Sequence, residues 1–180
     1  MSWSKFIWIP LGVTMLAFFL IVGDQLVATA IGPPGAKAFA WICFTSWPLY
    51  YLAGGDQRAA GKVLLSFGVG MVASVAIMNL AGMVGQHLGG LWAAPVAIAV
   101  VAFVVLCLER FPPFDFVPGI FVSMAVFFAI TLYVDGSSHS NTALVESAYG
   151  VVGVALGWLS GALRGAYTGW VERSAVKRNF

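Results

Sequence analysis

Two serines lie inside apolar stretches of the chain that are similar to each other. Residues 44–51 read FTSWPLYY and residues 121–128 read FVSMAVFF, so Ser46 and Ser123 recur 77 positions apart. A serine hydroxyl in an apolar segment is a neutral hydrogen-bonding group that could contact a small polar solute. It could equally bond back to a carbonyl of its own helix. The pattern predicts a polar point in each stretch and leaves both uses open.

Prolines and a glycine stand close to both serines. Pro48 lies inside the first stretch, and Pro118 and Gly119 come just before the second. Proline removes a backbone donor, and unpaired backbone groups at membrane depth must face protein or water. The pattern therefore favours discontinuous helices that line a solute path, with a repaired kink as the alternative. The predicted path, narrowed by aromatic side chains, consists of Phe44, Ser46, Pro48, Pro118, Gly119, Phe121 and Ser123.

Four further polar side chains are candidates for handling a proton or a polar group: Asp24, Gln25, Asn79 and Glu146. No acidic residue falls at the centre of an apolar stretch, so we expect Asp24 and Glu146 to lie at the membrane interface. Ionisable residues at membrane depth normally mark proton or ion pathways, and their scarcity argues against a proton-coupled pump. The alternative is a coupled transporter with Asp24 or Glu146 in its path.

Composition places the chain in a membrane. Hydrophobic residues make up 61% of the chain and charged residues 9%, whereas a soluble domain has about 25% charged residues. The net charge of +2 is too small to indicate nucleic-acid binding. Cys43 and Cys107 lie in apolar runs and are expected to be buried thiols rather than a disulfide or a metal site. No phosphate-binding loop, zinc spacing or nucleophile–base pattern occurs, so we predict neither an enzyme nor a bound cofactor.

The apolar stretches predict an all-α integral membrane protein with six transmembrane helices. A helix needs about 20 apolar residues to cross the hydrocarbon layer, and the qualifying stretches are approximately 6–23, 36–53, 62–84, 91–108, 116–134 and 143–163. The connections are too short to fold separately, so residues 1–180 are expected to form one domain. Lys5 and the apolar run after it superficially fit a cleavable signal, but the length of the run favours a retained span.

Basic residues predict the orientation of these spans. If the spans alternate, eight of the nine lysines and arginines fall on one side of the membrane, and only Lys37 falls on the other. Cytoplasmic loops are enriched in lysine and arginine. The sequence therefore predicts that both termini lie in the cytoplasm.

Six spans divide into two halves of three, about 1–85 and 86–165, followed by a cytoplasmic tail at about 166–180. The stretches around Ser46 and Ser123 occupy the middle span of each half. An odd number of spans in each half makes the second copy enter from the opposite side, which is the inverted repeat typical of many transporters. Chance similarity between apolar segments is the alternative.

Glycines recur every fourth residue near the C-terminal end of the chain. They are Gly153, Gly157, Gly161, Gly165 and Gly169. This spacing places them on one stripe of a helix, where another backbone can approach closely. We expect this stripe to pack within the protomer, with packing between protomers as the alternative. A homo-oligomer is expected on general grounds.

Three segments together resemble a known family. They are a span ending in FTSWPLYYLAGG, the loop DQRAAGK that follows it, and the later segment FDFVPGIFVSMAVFFA. These features are similar to those of the YcdZ-like group of uncharacterised bacterial inner-membrane proteins, and the similarity covers most of the chain. The resemblance implies a multi-pass protein of the bacterial inner membrane and brings no established substrate.

The repeat, the proline-broken spans and the uncharged midplane favour a channel or facilitator for a small neutral polar solute of the urea, amide or glycerol kind. Two alternatives stay open. One is a non-transporting membrane scaffold or partner subunit that assembles through the glycine stripe. The other is a proton-coupled transporter of a small solute that uses Asp24 or Glu146.

Overall fold

A computed structural model describes residues 3–31 and 38–176. Within these ranges the chain forms seven α-helices and a 3-10 turn, with no strand, and the predicted all-α class is confirmed for them. Lys37 and the last tail residues, 177–180, lie outside the described residues. The helices are α1 (Trp3–Phe6), α2 (Trp8–Ile31), α3 (Cys43–Leu52), α4 (Gln57–Leu88), α5 (Gly90–Leu108), α6 (Val117–Tyr133) and α7 (His139–Val176), and the 3-10 turn is Ala40–Ile42.

Within residues 3–31 and 38–176, four helical stretches are long and apolar enough to cross a membrane. They are Trp3–Ala30, Gln57–Leu88, Gly90–Leu108 and His139–Ser174. α6 is also apolar and has 17 residues, which makes it about 25 Å long, slightly less than the hydrocarbon thickness of about 30 Å. Several apolar helices of this length indicate a membrane-embedded protein, as the composition predicts.

The second predicted span, 36–53, differs from expectation. In its described part, α3 has only ten residues, about 15 Å of helix, and the 3-10 turn and two non-helical residues precede it. α3 ends because Gly54 and Gly55 follow with φ of 122° and 70°, a conformation that glycine adopts at little cost. A full-length helix is therefore wrong here, because apolar composition does not distinguish helix from irregular backbone.

α3 and α7 are parallel neighbours. Gly153 of α7 faces Ser46 of α3, and one turn later Gly157 faces Tyr50, so residue numbers rise together along both helices. A methyl group at Gly153 would overlap the Ser46 hydroxyl, and one at Gly157 would lie 2.8 Å from the Tyr50 ring. The absence of side chains at these two positions is therefore what lets α3 pack against α7.

The second part of the glycine stripe has no such neighbour. A methyl group at Gly165 or Gly169 would meet nothing within 4 Å among the described residues, and one at Gly161 would make ordinary contact with Tyr51 at 3.7 Å. The predicted packing within the protomer therefore accounts for the first two glycines, at 153 and 157, and leaves the last two open.

α4 and α6 form a second parallel pair. The Ser66 hydroxyl of α4 donates to the carbonyl of Phe116 at 3.1 Å, and the Ser74 hydroxyl donates to the carbonyl of Met124 at 3.5 Å. α4 also crosses α7 in the antiparallel direction, where Phe67 packs on Gly150. α3, α4, α6 and α7 together form the centre of the bundle.

An ion pair fixes the first turns of α4 against the segment that leads into α6. Lys62 Nζ lies 2.8 Å from Asp115 Oδ2. The hydrogen bond from Lys62 lowers the pKa of Asp115 below its usual range. Both side chains are about one-third exposed, so the pair sets the register of α4 and α6 more than it stabilises the fold.

α2 and α5 lie at the periphery. In the most apolar 18 residues of each helical stretch, no residue of Trp3–Ala30 is buried inside the protein, and 11% of the residues in α5 are buried. The corresponding share in α4 is 39%. Their exposed apolar faces are what a helix surrounded by lipid requires. Two hydrogen bonds attach the first two helices to α7. Asp24 of α2 accepts from the Tyr149 hydroxyl, and the carbonyl of Lys5 in α1 accepts the Tyr167 hydroxyl at 2.8 Å.

Replacing Gly153 by alanine should destabilise the bundle, because the new methyl group overlaps the Ser46 hydroxyl. Overpacking of this kind costs about 1–3 kcal/mol. Denaturant titration of the purified protein in detergent measures the free energy of unfolding. Gly165→Ala is the matched control, since its methyl group meets open space, and equal effects of the two substitutions would contradict the described packing of α3 on α7.

Candidate functional site

Glu146 of α7 is a carboxylic acid buried in the centre of the bundle. Its relative exposure is 0%, and its Oε1 lies 2.5 Å from the Ser123 hydroxyl of α6. Its other oxygen, Oε2, is buried without a hydrogen-bond partner in the described structure. This burial of Glu146 inside the bundle is not predicted by the sequence, and the expectation that it lies at the membrane interface stays a prediction.

The contact lies deep in the helices that form it. Ser123 is six residues from the start of α6 and ten residues from its end, or about 9 Å and 15 Å along the helix axis. Glu146 is seven residues from the start of α7, about 10 Å. A charge at this depth is costly unless it is paired, and no ion pair involves Glu146 in the described ranges.

Ser123 has two oxygen atoms as neighbours, and their chemistry bears on the protonation of Glu146. Its hydroxyl lies 2.8 Å from the carbonyl of Phe67 and 2.5 Å from the carboxyl of Glu146. A hydroxyl has one hydrogen to donate, and a carbonyl can only accept. If the hydrogen goes to Phe67, the short contact with Glu146 is a hydrogen bond only when the carboxyl donates. The geometry is thus satisfied by a neutral, protonated Glu146.

Two glycines allow the helices around this contact to approach closely. A methyl group at Gly70 of α4 would lie 2.5 Å from Ser123 Cβ and 2.6 Å from the carbonyl of Ile120. One at Gly119 of α6 would lie 2.8 Å from Ser66 Cβ. The close approach places the Phe67 carbonyl of α4 within reach of Ser123 and leaves no room for a larger side chain at Gly70 or Gly119.

Asp24 of α2 forms the second buried carboxyl cluster. Its relative exposure is 9%. It accepts the backbone N–H of Ala40 at 2.7 Å and a short hydrogen bond from the Tyr149 hydroxyl of α7. The Cys43 thiol in turn donates to the carbonyl of Tyr149 at 3.2 Å. Asp24 is therefore satisfied by two donors, whereas Glu146 has one unpaired oxygen.

The Asp24 carboxylate lies at the start of the 3-10 turn that leads into α3. Ala40 opens the 3-10 turn that continues into α3, and the first N–H groups of a helix have no partner within the helix. A carboxylate placed there satisfies one of them and interacts favourably with the positive end of the helix dipole. Asp24 thus holds the non-helical entry to α3 against α2 and α7.

The two carboxyl clusters share one face of α7. Glu146 and Tyr149 are three residues apart, and residues at this spacing are neighbours on a helix, with Cβ atoms about 5–6 Å apart. A rotation or shift of α7 would therefore alter the surroundings of both carboxyl groups. Within the described ranges, no group of three or more His, Cys, Asp or Glu side chains could hold a metal ion.

The structure does not bring the seven residues of the predicted solute path together. Ser46 is fully buried, but its hydroxyl points back to the carbonyl of Cys43 at 3.4 Å and packs on Gly153. Ser123 and Gly119 lie at the α4–α6 interface. The other four are exposed on the surface of the chain: Phe44, Pro48, Pro118 and Phe121.

Gln25 and Asn79, the other two predicted polar residues, lie outside both clusters. Each is exposed, Gln25 on α2 next to Asp24 and Asn79 on α4. Gln25 is adjacent to Asp24 in sequence, but consecutive residues point in different directions around a helix.

Sequence reasoning missed several polar residues that the fold places in the core. Ser160 of α7 accepts the indole N–H of Trp47 at 2.9 Å and lies 2.7 Å from the Tyr51 hydroxyl. Tyr149 binds Asp24, and Ser66 binds the carbonyl of Phe116. The available signal was helical spacing, because Tyr149 follows Glu146 by three residues and Ser160 follows Gly157 by three.

Substituting Tyr149 by phenylalanine should destabilise the fold, because Asp24 would lose one of its two donors. Leaving a buried polar group without its hydrogen bond costs about 1–3 kcal/mol. Denaturant titration in detergent measures the change. Tyr133→Phe, at a position that is 80% exposed, is the control, and an unchanged stability of the Tyr149 variant would contradict the role assigned to this hydrogen bond.

The comparisons with known proteins identify a family. A family described as "protein of unknown function (DUF1097)" matches residues 20–165. The chain belongs to this family, and the match includes Asp24, Ser123, Tyr149 and Glu146. No curated protein and no solved structure matches the chain.

Proposed function

We propose that this member of the DUF1097 family is a membrane transport protein that moves a small neutral polar solute, with the Glu146 carboxyl taking up and releasing a proton during transport. The observation that supports this proposal is the contact between Glu146 and Ser123. It places a fully buried acid against a single neutral partner, with one carboxyl oxygen unpaired. Intramembrane ionisable residues are functional sites by default.

A purely structural role does not require an acid at this position. Glutamine has nearly the same shape, and its amide could donate to the Ser123 hydroxyl as the neutral carboxyl does. What glutamine lacks is a proton that it can lose. The presence of glutamate in a site without a basic partner therefore favours a role in which the proton leaves and returns.

Loss of that proton would change the packing of three helices. A charged Glu146 would compete with the carbonyl of Phe67 for the single hydrogen of Ser123. The carboxylate would in addition be buried with its second oxygen unpaired, which is unfavourable for a charge in an apolar core. Opening the interface between α7 and the α4–α6 pair to water would hydrate the charged carboxylate and supply the missing hydrogen-bond donors. Deprotonation and opening are thereby coupled in the proposed mechanism.

The proposal includes the inverted repeat, and matching contacts support it. Ser46 and Ser123 are 77 positions apart, and each packs on a glycine of a neighbouring helix, Gly153 for the first and Gly70 for the second. These two glycines are 83 positions apart. The pair α3–α7 thus corresponds to the pair α6–α4, with the two halves exchanged.

A second set of contacts has the same offsets. Phe39 lies against Tyr149, with ring centroids 6.2 Å apart. Phe116, 77 positions after Phe39, accepts a hydrogen bond from Ser66, which is 83 positions before Tyr149. The contacts Phe39–Tyr149 and Phe116–Ser66 are thus at equivalent positions of the two halves but differ in side-chain chemistry. This favours the same backbone arrangement in both halves over a chance similarity of apolar sequences.

The position of the proposed axis supports the choice of site. Phe67 and Gly150 are 83 positions apart and pack directly on each other. Residues that correspond to each other and are also in contact lie beside a two-fold axis. The Phe67 carbonyl accepts from Ser123, so the Glu146 cluster lies next to this axis. Transporters with inverted repeats bind substrates near the midplane, where the repeats meet.

The finer topology is part of the same proposal. We assign six crossings, with the non-helical residues 38–39, the 3-10 turn and α3 as a discontinuous second crossing, and both termini in the cytoplasm of a bacterium. The parallel pairs α3–α7 and α4–α6 are what alternating crossings require. The YcdZ-like resemblance and homo-oligomerisation stay predictions.

Transport can be measured in proteoliposomes. We expect the wild-type protein to accelerate entry of at least one of urea, formamide or glycerol above the rate in protein-free liposomes. An inward proton gradient should increase that rate, because the proposed cycle uses the Glu146 proton. Glu146→Gln should abolish the proton-dependent part, and Glu172→Gln, at an exposed position of α7, should leave it intact.

The same experiment distinguishes the alternatives. Solute entry that is independent of the proton gradient and unaffected by Glu146→Gln would contradict proton coupling and favour a passive facilitator. Entry no faster than in protein-free liposomes for every solute would contradict the proposal and favour a non-transporting scaffold or partner subunit.

A further inference from the structure

We infer that the cleft between α2 and α7 binds one anionic phospholipid, with an acyl chain inside the cleft and the headgroup at Arg164. This inference is independent of the transport proposal, since it involves neither Glu146 nor Asp24. It rests on the shape of the cleft, on the charge at one end and on the space left by a glycine.

The cleft has apolar walls and a volume of about 210 Å³. Trp8, Gly12 and Leu16 of α2 form one side, and Ser160, Leu163 and Arg164 of α7 form the other. A second helix would be about 10 Å wide with its side chains and would not fit between α2 and α7, which are joined to each other by the Asp24–Tyr149 hydrogen bond and, through Lys5 of α1, by the hydrogen bond to Tyr167. A single hydrocarbon chain is narrow enough to fill such a space.

The Ser160 hydroxyl in the wall of the cleft does not require a polar ligand. Ser160 already accepts from Trp47 and donates to backbone carbonyls of its own helix, the nearest of them at 2.7 Å. Ser160 as a whole is only 1% exposed. The interior of the cleft is therefore suited to an apolar group.

Positive charge lies at one end of the cleft. Arg164 is exposed and is the only charged residue that lines the cleft in the part of the chain that the structure describes, so no carboxylate among these lining residues neutralises it. Lys5 belongs to the same end, because its carbonyl accepts the Tyr167 hydroxyl, one turn from Arg164. Trp8 and Tyr167 at this end are of the type that prefers the headgroup region. Lysine and arginine at the membrane surface attract anionic lipids.

Gly12 leaves the cleft open. A methyl group at this position would meet nothing within 4 Å. A larger side chain can therefore be introduced there without a clash, and it would occupy the space assigned to the acyl chain. This gives a variant that blocks the site and should still fold.

Native mass spectrometry of the full chain, released from detergent after titration with defined lipids, tests the inference. We expect one molecule of phosphatidylglycerol to bind more tightly than phosphatidylcholine of the same chain length. Arg164→Gln should weaken phosphatidylglycerol binding about fivefold, the effect expected of one cation at the membrane surface, and Gly12→Leu should remove the bound lipid. Arg173→Gln, on the same helix outside the cleft lining, and Gly82→Leu, at an exposed position with open space around it, are the matched controls.

Two results would overturn the inference. Equal binding of the two lipids, unchanged by Arg164→Gln and Gly12→Leu, would mean that lipid covers the helices without a defined site. A lipid-free dimer that Gly12→Leu converts to a monomer would mean that a second copy of the chain occupies this face. A melting temperature within error of the wild type for Gly12→Leu establishes that any lost binding is not due to unfolding.

Discussion

The arrangement of the central helices depends on the single hydrogen of the Ser123 hydroxyl. Two oxygen atoms lie within hydrogen-bonding distance of it, the Phe67 carbonyl and the Glu146 carboxyl. Without water in the hydrocarbon core, buried polar groups must be satisfied by the protein itself. The carbonyl has no hydrogen to offer, so both contacts are hydrogen bonds at once when a protonated Glu146 supplies the second hydrogen. A neutral Glu146 therefore fits the packing of α4, α6 and α7, in which no ion pair of the described residues compensates a charge on this acid.

α7 connects this condition to the rest of the bundle. Its glycines at 153 and 157 admit α3, and its side chains at 146 and 149 bind α6 and α2. Because these positions are three or four residues apart, they are neighbours along one face of the same helix. A movement of α7 that relieves a charged Glu146 would also change the hydrogen bond to Asp24 and the position of the half-length α3.

The sequence predicted the features that depend on composition and spacing. It predicted the apolar helices, and the glycine spacing predicted close packing within the protomer, which Gly153 and Gly157 make with α3. It could not predict the burial of Glu146 against Ser123, because hydropathy along one segment does not show which side chains of different helices meet. It also could not predict the short α3. The 3-10 turn that leads into that helix begins where Asp24, sixteen residues earlier, satisfies the N–H of Ala40, and such a contact between distant residues leaves no periodic signal. Ser46 and Ser123 were predicted as equivalent, yet only Ser123 has an acid beside it.

Infrared spectroscopy of the protein in lipid bilayers tests the protonation of Glu146 most directly. We predict that the wild-type spectrum at neutral pH contains the carbonyl stretch of a protonated carboxylic acid, that Glu146→Gln removes this band, and that Asp24→Asn leaves it in place. A wild-type spectrum that lacks this band, together with a carboxylate band that disappears in Glu146→Gln, would show that Glu146 is charged and would contradict the account.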